Sequence, residues 1–406
     1  MKIIFFTDHF TPEMSPPAAH IYDRCKIWVG QGHEVTVITN VPNYPFGECY
    51  DGYKNKFRQT EMLNGIKVIR VMTFMAENKG SVKRMLDYIS YTYSAFFNTL
   101  FMKKPDVVIS SSPPLFSPIA GVLFARMRRV PHVIEIRDLW PAFIAATNGW
   151  EKTDRMYRVF ERLEMWLYKH SKRIITFSPT FTDNMVARDV DPNKIDLVIN
   201  GSDLNLFSPT KADTALIDDL NLRDQFIIGY IGTMGLAHDL ENAVRAANLV
   251  KDKNIKLLIV GAGGETENVK TEAEKLGAKN VIFVGRQDKN EMPKWWSICD
   301  VGLVHLKGSQ ELAAAIPSKI FETMAMGKPI LFAGLKGAGS YVVDKHEAGI
   351  CVTASDPEAL AEAMVTLSTD KELFQLYADK SLAAAPIYSR EKQAEDTLNS
   401  LKKACE

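Results

Sequence analysis

The sequence predicts an α/β protein of two doubly wound domains, each built on a parallel sheet. Three observations carry that expectation. Short runs rich in Ile and Val recur along the chain, mostly without in/out alternation, as strands covered on both faces require. Helical patterns separate these runs, which implies right-handed βαβ units. The series breaks once, around Leu204–Asp219, where apolar content falls and a Ser-Pro pair appears. A chain of 406 residues has room for two or three domains, and the break places a boundary near 205–225.

In the first half, strands are expected at Lys2–Thr7, Glu34–Thr39, Ile66–Met72, Val107–Ser110, His132–Arg137, Arg173–Phe177 and Leu197–Asn200. In the second half they are expected at Phe226–Ile231, Lys256–Val260, Val281–Val284, Val301–His305, Ile330–Phe332 and Ile350–Val352. The tail Tyr388–Glu406 is expected to be helical, with Ala394, Leu398 and Leu401 on one face. No strand follows it, so it is expected to pack back on the first domain.

Hydrophobic content of 46% and charged content of 24% are those of a soluble globular protein. Net charge is zero, so no global field attracts nucleic acid. Lys and Arg number 26 against 21 Asp and Glu in residues 1–205, and 23 against 28 in the remainder. That asymmetry suggests an anionic partner for the first half. Five cysteines, at 25, 49, 299, 351 and 405, show no CxxC spacing, which fits a reducing compartment and points to neither zinc nor a redox pair. The apolar run before Asp8 is too short for a signal peptide and reads as a first buried strand. No stretch of 18 apolar residues demands a membrane span.

The segment IPSKIFETMAMGKPIL, Ile316–Leu331, concentrates the chemistry. A helix is expected to open near Ser318, with the Ser318 hydroxyl capping free N–H groups, and to stop at Gly327-Lys328-Pro329. Ile320 and Met324 form its buried stripe, and Glu322 is rotated away from them. A helix N-terminus beyond a strand's carboxyl end attracts anions, and Lys319 adds a positive charge. A Glu one turn further in suits the hydroxyls of a ribose. The same segment is also compatible with an ordinary surface helix carrying a solvated Glu.

Ile228–Asp239, IGYIGTMGLAHD, is a second phosphate candidate: Gly232 and Gly235 allow close backbone approach, and a helix is expected near His238. The run LIVGAGGE, Leu258–Glu265, lacks the third glycine of a dinucleotide fingerprint and reads as a structural turn.

Further stretches, taken with SKIFETMAMGKPI, carry a family resemblance. They are GHEVTVIT (Gly32–Thr39), PNYPFG (Pro42–Gly47) with Gly52-Tyr53, SSPP (Ser111–Pro114), EIRDLWP (Glu135–Pro141) and YSREKQA (Tyr388–Ala394). Together they resemble the retaining glycosyltransferases of family 4, in the branch that builds O-antigen and capsule. The resemblance implies the GT-B fold, two Rossmann-like domains with a nucleotide-sugar in the cleft between them. Residues 1–205 would bind the acceptor and 206–385 the donor, with helix 386–406 returning to the first domain. It implies sugar transfer with retained anomeric configuration and no metal or other cofactor. Glu322 would hold the ribose, Arg286 beside Gly285 the base, and the turn Gly232–Gly235, with Thr233, the diphosphate.

The chain departs from the family in several places. Ala314 stands where a second Glu is usual, with Glu311 close by as a possible sugar contact. Thr233, Met234 and His238 stand where an Arg and a Lys are common, so Lys319 or His238 would supply the charge. Arg137-Asp138 replaces His-Asp, and Met14–His20 replaces a Gly-Gly loop.

Metal-free retention needs positive charge for the departing diphosphate, an acceptor hydroxyl held in line, and a destination for its proton. Lys319 and Arg137 are candidates for the charge. Asp138 and Glu135, at the end of one expected strand, are candidate acceptor-side carboxylates. Asp138 is expected to orient the acceptor, and His20 to touch phosphate or sugar.

Met85–Met102 shows Leu86, Ile89, Tyr93, Phe96 and Leu100 at helical spacing, broadened by Tyr88, Tyr91 and Phe101. Lys79, Lys83, Arg84, Lys103 and Lys104 flank it, and Arg126, Arg128 and Arg129 could extend the basic face. Residues 79–104 therefore suit an anionic lipid surface, or else a helix buried on both sides. The combined expectation is a cytoplasmic enzyme, peripheral on the inner membrane face. It would move an N-acetylated hexosamine or deoxyhexosamine from UDP to a polyprenyl-linked surface glycan. A UDP-sugar 2-epimerase of the same fold and a noncatalytic assembly scaffold are the alternatives.

Overall fold

The computed structural model describes residues 1–13, 15–76, 81–142, 151 and 153–406. The chain forms two compact units, Met1–Ile199 with Gln393–Glu406, and Asn200–Lys392.

The first unit holds β1 (Lys2–Phe6), β2 (Glu34–Asn40), β3 (Arg58–Leu63), β4 (Ile66–Val71), β5 (Val107–Ser112), β6 (His132–Ile136), β7 (Arg173–Thr176) and β8 (Ile195–Leu197). Their order in the sheet is β3-β4-β2-β1-β5-β6-β7-β8. All pairings are parallel except β3 with β4. The strand order reverses between β1 and β5. One face of the sheet packs Phe5, Ile21, Trp28 and Val37 with Ala394, Leu398 and Leu401, which come from the C-terminal helix Arg390–Cys405. The Trp28 indole donates to the Ala394 carbonyl at 2.9 Å. The other face packs Ile4, Phe6, Ile69, Tyr91 and Phe124. Each such side chain contributes about 1.5–3 kcal/mol by leaving water.

The second unit holds β9 (Phe226–Ile231), β10 (Ile255–Val260), β11 (Val281–Gly285), β12 (Val301–His305), β13 (Ile330–Ala333) and β14 (Gly349–Val352). The order is β11-β10-β9-β12-β13-β14, all parallel, with its reversal between β9 and β12. Ile228, Tyr230, Leu257, Ile259, Leu303 and Leu331 anchor a core against flanking helices.

Three expectations are corrected. Strand β3, RQTEML, alternates half-buried and exposed residues, so it carries no Ile/Val run; it pairs antiparallel with β4 through a hairpin at Asn64-Gly65. Asn64 and Gly65 have φ of 48° and 81°, the left-handed pair that a tight hairpin requires. Strand β8 lies at Ile195–Leu197, ahead of its expected position. The unit boundary falls at Ile199/Asn200, because Ser202 bridges to Ser389 and donates to the Phe321 carbonyl within the second unit.

Candidate functional site

Doubly wound sheets bind ligands beyond the carboxyl ends of their strands, at the reversal of strand order. In the second unit that place is framed by the turns after β9, β10 and β12. Gly232, just after β9, has φ +143°. A Cβ there would lie 2.6 Å from Lys319 Cε and 2.8 Å from Nζ, so glycine lets the lysine reach the backbone of the turn. The turn after β10 packs against it, since a Cβ on Gly261 would meet the Gly232 carbonyl oxygen at 1.9 Å. That contact, and the 2.2 Å at which a Cβ on Gly263 would meet the Met234 carbonyl oxygen, explain Gly261 and Gly263 of LIVGAGGE as a structural turn. After β12, the Lys307 N–H donates to the Ala237 carbonyl at 2.9 Å and ties the third turn to the first.

The helix Ser318–Ala325 follows β12 and its loop. It packs on β12 because Gly302 leaves room for Thr323; a Cβ on Gly302 would come within 2.4 Å of Thr323 Oγ1. Ile320, Phe321, Thr323 and Met324 are buried, and Glu322 is half-buried on the remaining side. The expected Ser318 cap is corrected. Pro317 is the N-cap, it offers no side-chain acceptor, and Ser318 is exposed. No side chain among the described residues caps the first-turn N–H groups. Gly327, with φ +65°, ends the helix as expected from its freedom in the left-handed region.

Lys319 is buried, with its ammonium 4.8 Å from the Tyr230 ring centroid. Burial pushes its pKa down to about 8, and Glu322 opposes the shift. Burial raises the Glu322 carboxyl above its ordinary range, and Lys319, Arg390, Lys289 and the Trp296 indole oppose this in that order. His238 is pushed down to about 4, mainly by burial and then by Lys319. It is therefore neutral at pH 7 and lends no charge, which leaves Lys319 as the cation beside the turn. Thr233 is exposed, and its carbonyl accepts from the Tyr230 hydroxyl at 2.5 Å. Gly235 precedes a single 3-10 turn, Leu236–His238, and the helix proper is Leu240–Leu249. Gly285 ends β11 with φ +81°, and Arg286 follows it exposed. Glu311 lies on a short helix, Gln310–Ala313, with its side chain outside the described residues.

Motif reading gave no site role to Lys289, to His305, or to Arg390, which lies within YSREKQA. Lys289 and Arg390 act on the Glu322 charge from separate elements. His305, the last residue of β12, is buried and held neutral, and its Nε2 meets the Asn242 amide at 2.9 Å.

In the first unit, Arg137 and His20 come together beyond β6. The Arg137 Nη2 donates to His20 Nδ1 at 3.0 Å, which places the imidazole proton of neutral His20 on Nε2. Arg137 also lies over the Phe177 ring at 4.8 Å. Asp138 is half-buried, and burial raises its carboxyl against the lowering effect of Arg137. Glu135 does not join them. It lies within β6, is wholly buried, and pairs with Arg24, which also donates to Thr397. Its expected place at a ligand-facing strand end is corrected to a core ion pair.

The helix Ser81–Thr99 is buried on one side, with Tyr91, Ala95, Asp87 and Asn98 inward. Leu86, Tyr93, Phe97 and, beyond the helix, Phe101 are exposed, as are Leu123 and Met127 on the neighbouring helix Ser117–Arg128. Burial on both sides is thus corrected. Lys83, Lys103, Lys104, Arg126 and Arg129 are exposed. Arg84 turns inward to the Tyr88 hydroxyl and Arg128 donates to the Leu100 carbonyl; Lys79 lies outside the described residues. No helix among the described residues is long and apolar enough to cross a membrane.

Two family models match the chain: "Glycosyl transferase 4-like domain" over residues 17–201 and "Glycosyl transferases group 1" over residues 225–370. WcaI of Escherichia coli K12, named as a colanic acid biosynthesis glycosyl transferase, is 27% identical over 80% of this chain and 82% of its own. An Escherichia coli UDP-Gal:alpha-D-GlcNAc-diphosphoundecaprenol alpha-1,3-galactosyltransferase is 23% identical over 74% of each chain. Among solved structures, HepE of Anabaena in complex with UDP superposes with a TM-score of 0.73 at 16% identity, over 99% of this chain and 100% of that one.

Proposed function

The chain belongs to the group 1 glycosyltransferases, has their GT-B fold, and from that premise we propose a donor, an acceptor class and a set of residue roles. It transfers a sugar, an N-acetylated hexosamine or deoxyhexosamine, from UDP to a polyprenyl-linked glycan of the cell surface. Named relatives in colanic acid synthesis and in transfer to alpha-D-GlcNAc-diphosphoundecaprenol support the acceptor class. A fold neighbour solved with UDP supports the nucleotide.

The observation that carries the reading is the seating of Lys319 against Gly232, one helical turn from Glu322. The Lys319 ammonium and the uncapped first turn receive the diphosphate, whose charge grows as the sugar departs. Glu322 accepts hydrogen bonds from the ribose hydroxyls, and Arg286 and Gly285 border the base. On the first unit, Asp138 orients the acceptor hydroxyl, with Arg137 and His20 beside it. The anomeric configuration is retained, and the leaving phosphate or Asp138 takes the hydroxyl proton. No metal is required, because Lys319 supplies the positive charge. The exposed aromatic face of Ser81–Thr99, with Lys83, Lys103 and Lys104, rests on the anionic inner leaflet of the cytoplasmic membrane.

Titration of UDP-sugars against the purified protein, with release of UDP followed in time, tests the reading. Slow hydrolysis abolished in Glu322→Ala is expected. Absence of both binding and hydrolysis across UDP-sugars would remove UDP as the nucleotide.

A further inference from the structure

Beyond the carboxyl ends of β1 and β2 lies a second polar site that the donor chemistry does not use. Asp8, His9 and Glu13 come from the segment after β1, Asn40 and Asn43 from the end of β2, and Asp87 from the helix Ser81–Thr99. Asp8 is 3% exposed, Asn40 3% and Asp87 8%. Much of the cluster is already satisfied. Glu13 accepts from His9 Nδ1 at 2.8 Å and from the Asn43 and Tyr44 N–H groups at 3.0 and 3.1 Å. Asp87 accepts from Thr73 at 2.5 Å. Asp8 Oδ1 accepts from the Asn40 amide at 3.3 Å.

Two acceptors are left over. The Asn40 Oδ1 is buried and has no hydrogen-bond partner among the described residues. Asp8 Oδ2 accepts no hydrogen bond from the described residues, and His9 Nε2 stands 4.0 Å away, beyond hydrogen-bond reach. A buried acceptor left unmade costs about 1–3 kcal/mol, which makes Asn40 Oδ1 a place for a donor. Asp8 Oδ2, in a long ion pair with His9 Nε2, keeps lone pairs for a second donor beside it. The cavity they border is about 40 Å³, with room for about two or three waters, and Tyr44, Ala76, Arg84 and Tyr88 also line it. It admits the edge of a small polar molecule and not a whole ring.

We propose that Asp8 and Asn40 form a carbohydrate subsite that takes two neighbouring hydroxyls of the acceptor glycan. Each hydroxyl donates one hydrogen bond, to Asp8 Oδ2 and to Asn40 Oδ1. The inference rests on the transferase reading but concerns the acceptor alone. Burial, the leading cause, pushes the Asp8 carboxyl upward, with Asp87 and Glu13 adding to this and His9 and Arg84 opposing it.

The test uses the full chain and a panel of methyl glycosides of glucose, galactose, mannose, fucose, N-acetylglucosamine and glucosamine. Binding is followed by saturation-transfer NMR and by thermal shift at pH 8, with UDP titrated in parallel. At least one neutral glycoside is expected to saturate, and to bind at least tenfold more weakly to Asp8→Asn and to Asn40→Ala. UDP affinity is expected to stay unchanged in both variants, which also reports that they are folded. If either variant fails to bind UDP or to melt cooperatively, the other decides. Binding equal in wild type and variants, binding by glucosamine alone, or no binding by any glycoside while UDP binds would overturn the subsite. Failure of UDP to bind the wild type would instead strike at the transferase reading.

Discussion

Beyond β9 and β12 the chain places glycines and a lysine; beyond β1 and β2 it places carboxylates. Both sheets share one wiring rule, with a reversal of strand order that opens space at the carboxyl ends. The topology sets where a ligand can sit, and the residues after each strand set its charge. In the second unit Gly232 brings Lys319 onto the backbone, which suits a diphosphate. In the first unit Asn40 keeps a buried acceptor without a partner among the described residues, and Asp8 beside it offers a carboxylate oxygen in only a long ion pair with His9, which suits hydroxyls. Two glutamates sharpen the same contrast: Glu135 is sealed into a core ion pair, and Glu322 stays half-buried among cations.

The largest expected effect separates those two glutamates. Glu135→Ala leaves Arg24 charged and unpaired in the core, a loss of about 3–5 kcal/mol. Denaturant melts should show that loss, and whatever protein stays folded should bind UDP as the wild type does. A variant of wild-type stability would mean that Glu135 is not a core ion. Glu322→Ala should do the reverse. It weakens UDP binding by about 2 kcal/mol, the worth of charge-assisted hydrogen bonds to the ribose, with little change in melting. Unchanged affinity by calorimetry would take Glu322 out of the site.

A pH titration comes next in size. Burial pushes the Lys319 pKa down to about 8, against Glu322, which raises it. A bound diphosphate holds the lysine charged, so binding takes up a proton once the free lysine has lost its own. UDP affinity is therefore expected to be flat below pH 8 and to fall above it, by up to about tenfold per pH unit. In Lys319→Arg the fall should vanish, because a guanidinium stays charged. A profile that falls equally in both proteins would assign the proton elsewhere. The smallest effect belongs to the basic rim of Ser81–Thr99. Replacing Lys83, Lys103 and Lys104 by Gln should weaken binding to anionic vesicles at low salt by a few fold per charge. Equal vesicle binding would leave the exposed aromatic face for another partner.

Strands with Ile/Val runs were legible in the sequence because burial on both faces demands them. Strand β3 was not, since RQTEML has one solvated face; the Asn64-Gly65 pair was its only strong local signal. Lys319 and Glu322 could be read because a single helix carries both and local spacing fixes their relation. Lys289, Arg390 and His305 reach the same neighbourhood from three other elements, which no spacing rule connects. Asp8, Asn40 and Asp87 are likewise far apart in sequence, and no local spacing connects them. Glu135 was misplaced for a related reason. Strand periodicity names a face, and whether that face meets ligand or the Arg24 guanidinium is decided by a distant helix.

The most direct test titrates UDP by calorimetry into wild type, Lys319→Ala and Asp8→Asn at pH 7. The account predicts binding by the wild type, at least tenfold weaker binding by Lys319→Ala, and wild-type affinity in Asp8→Asn. Equal affinity in wild type and Lys319→Ala, or a loss confined to Asp8→Asn, would contradict it.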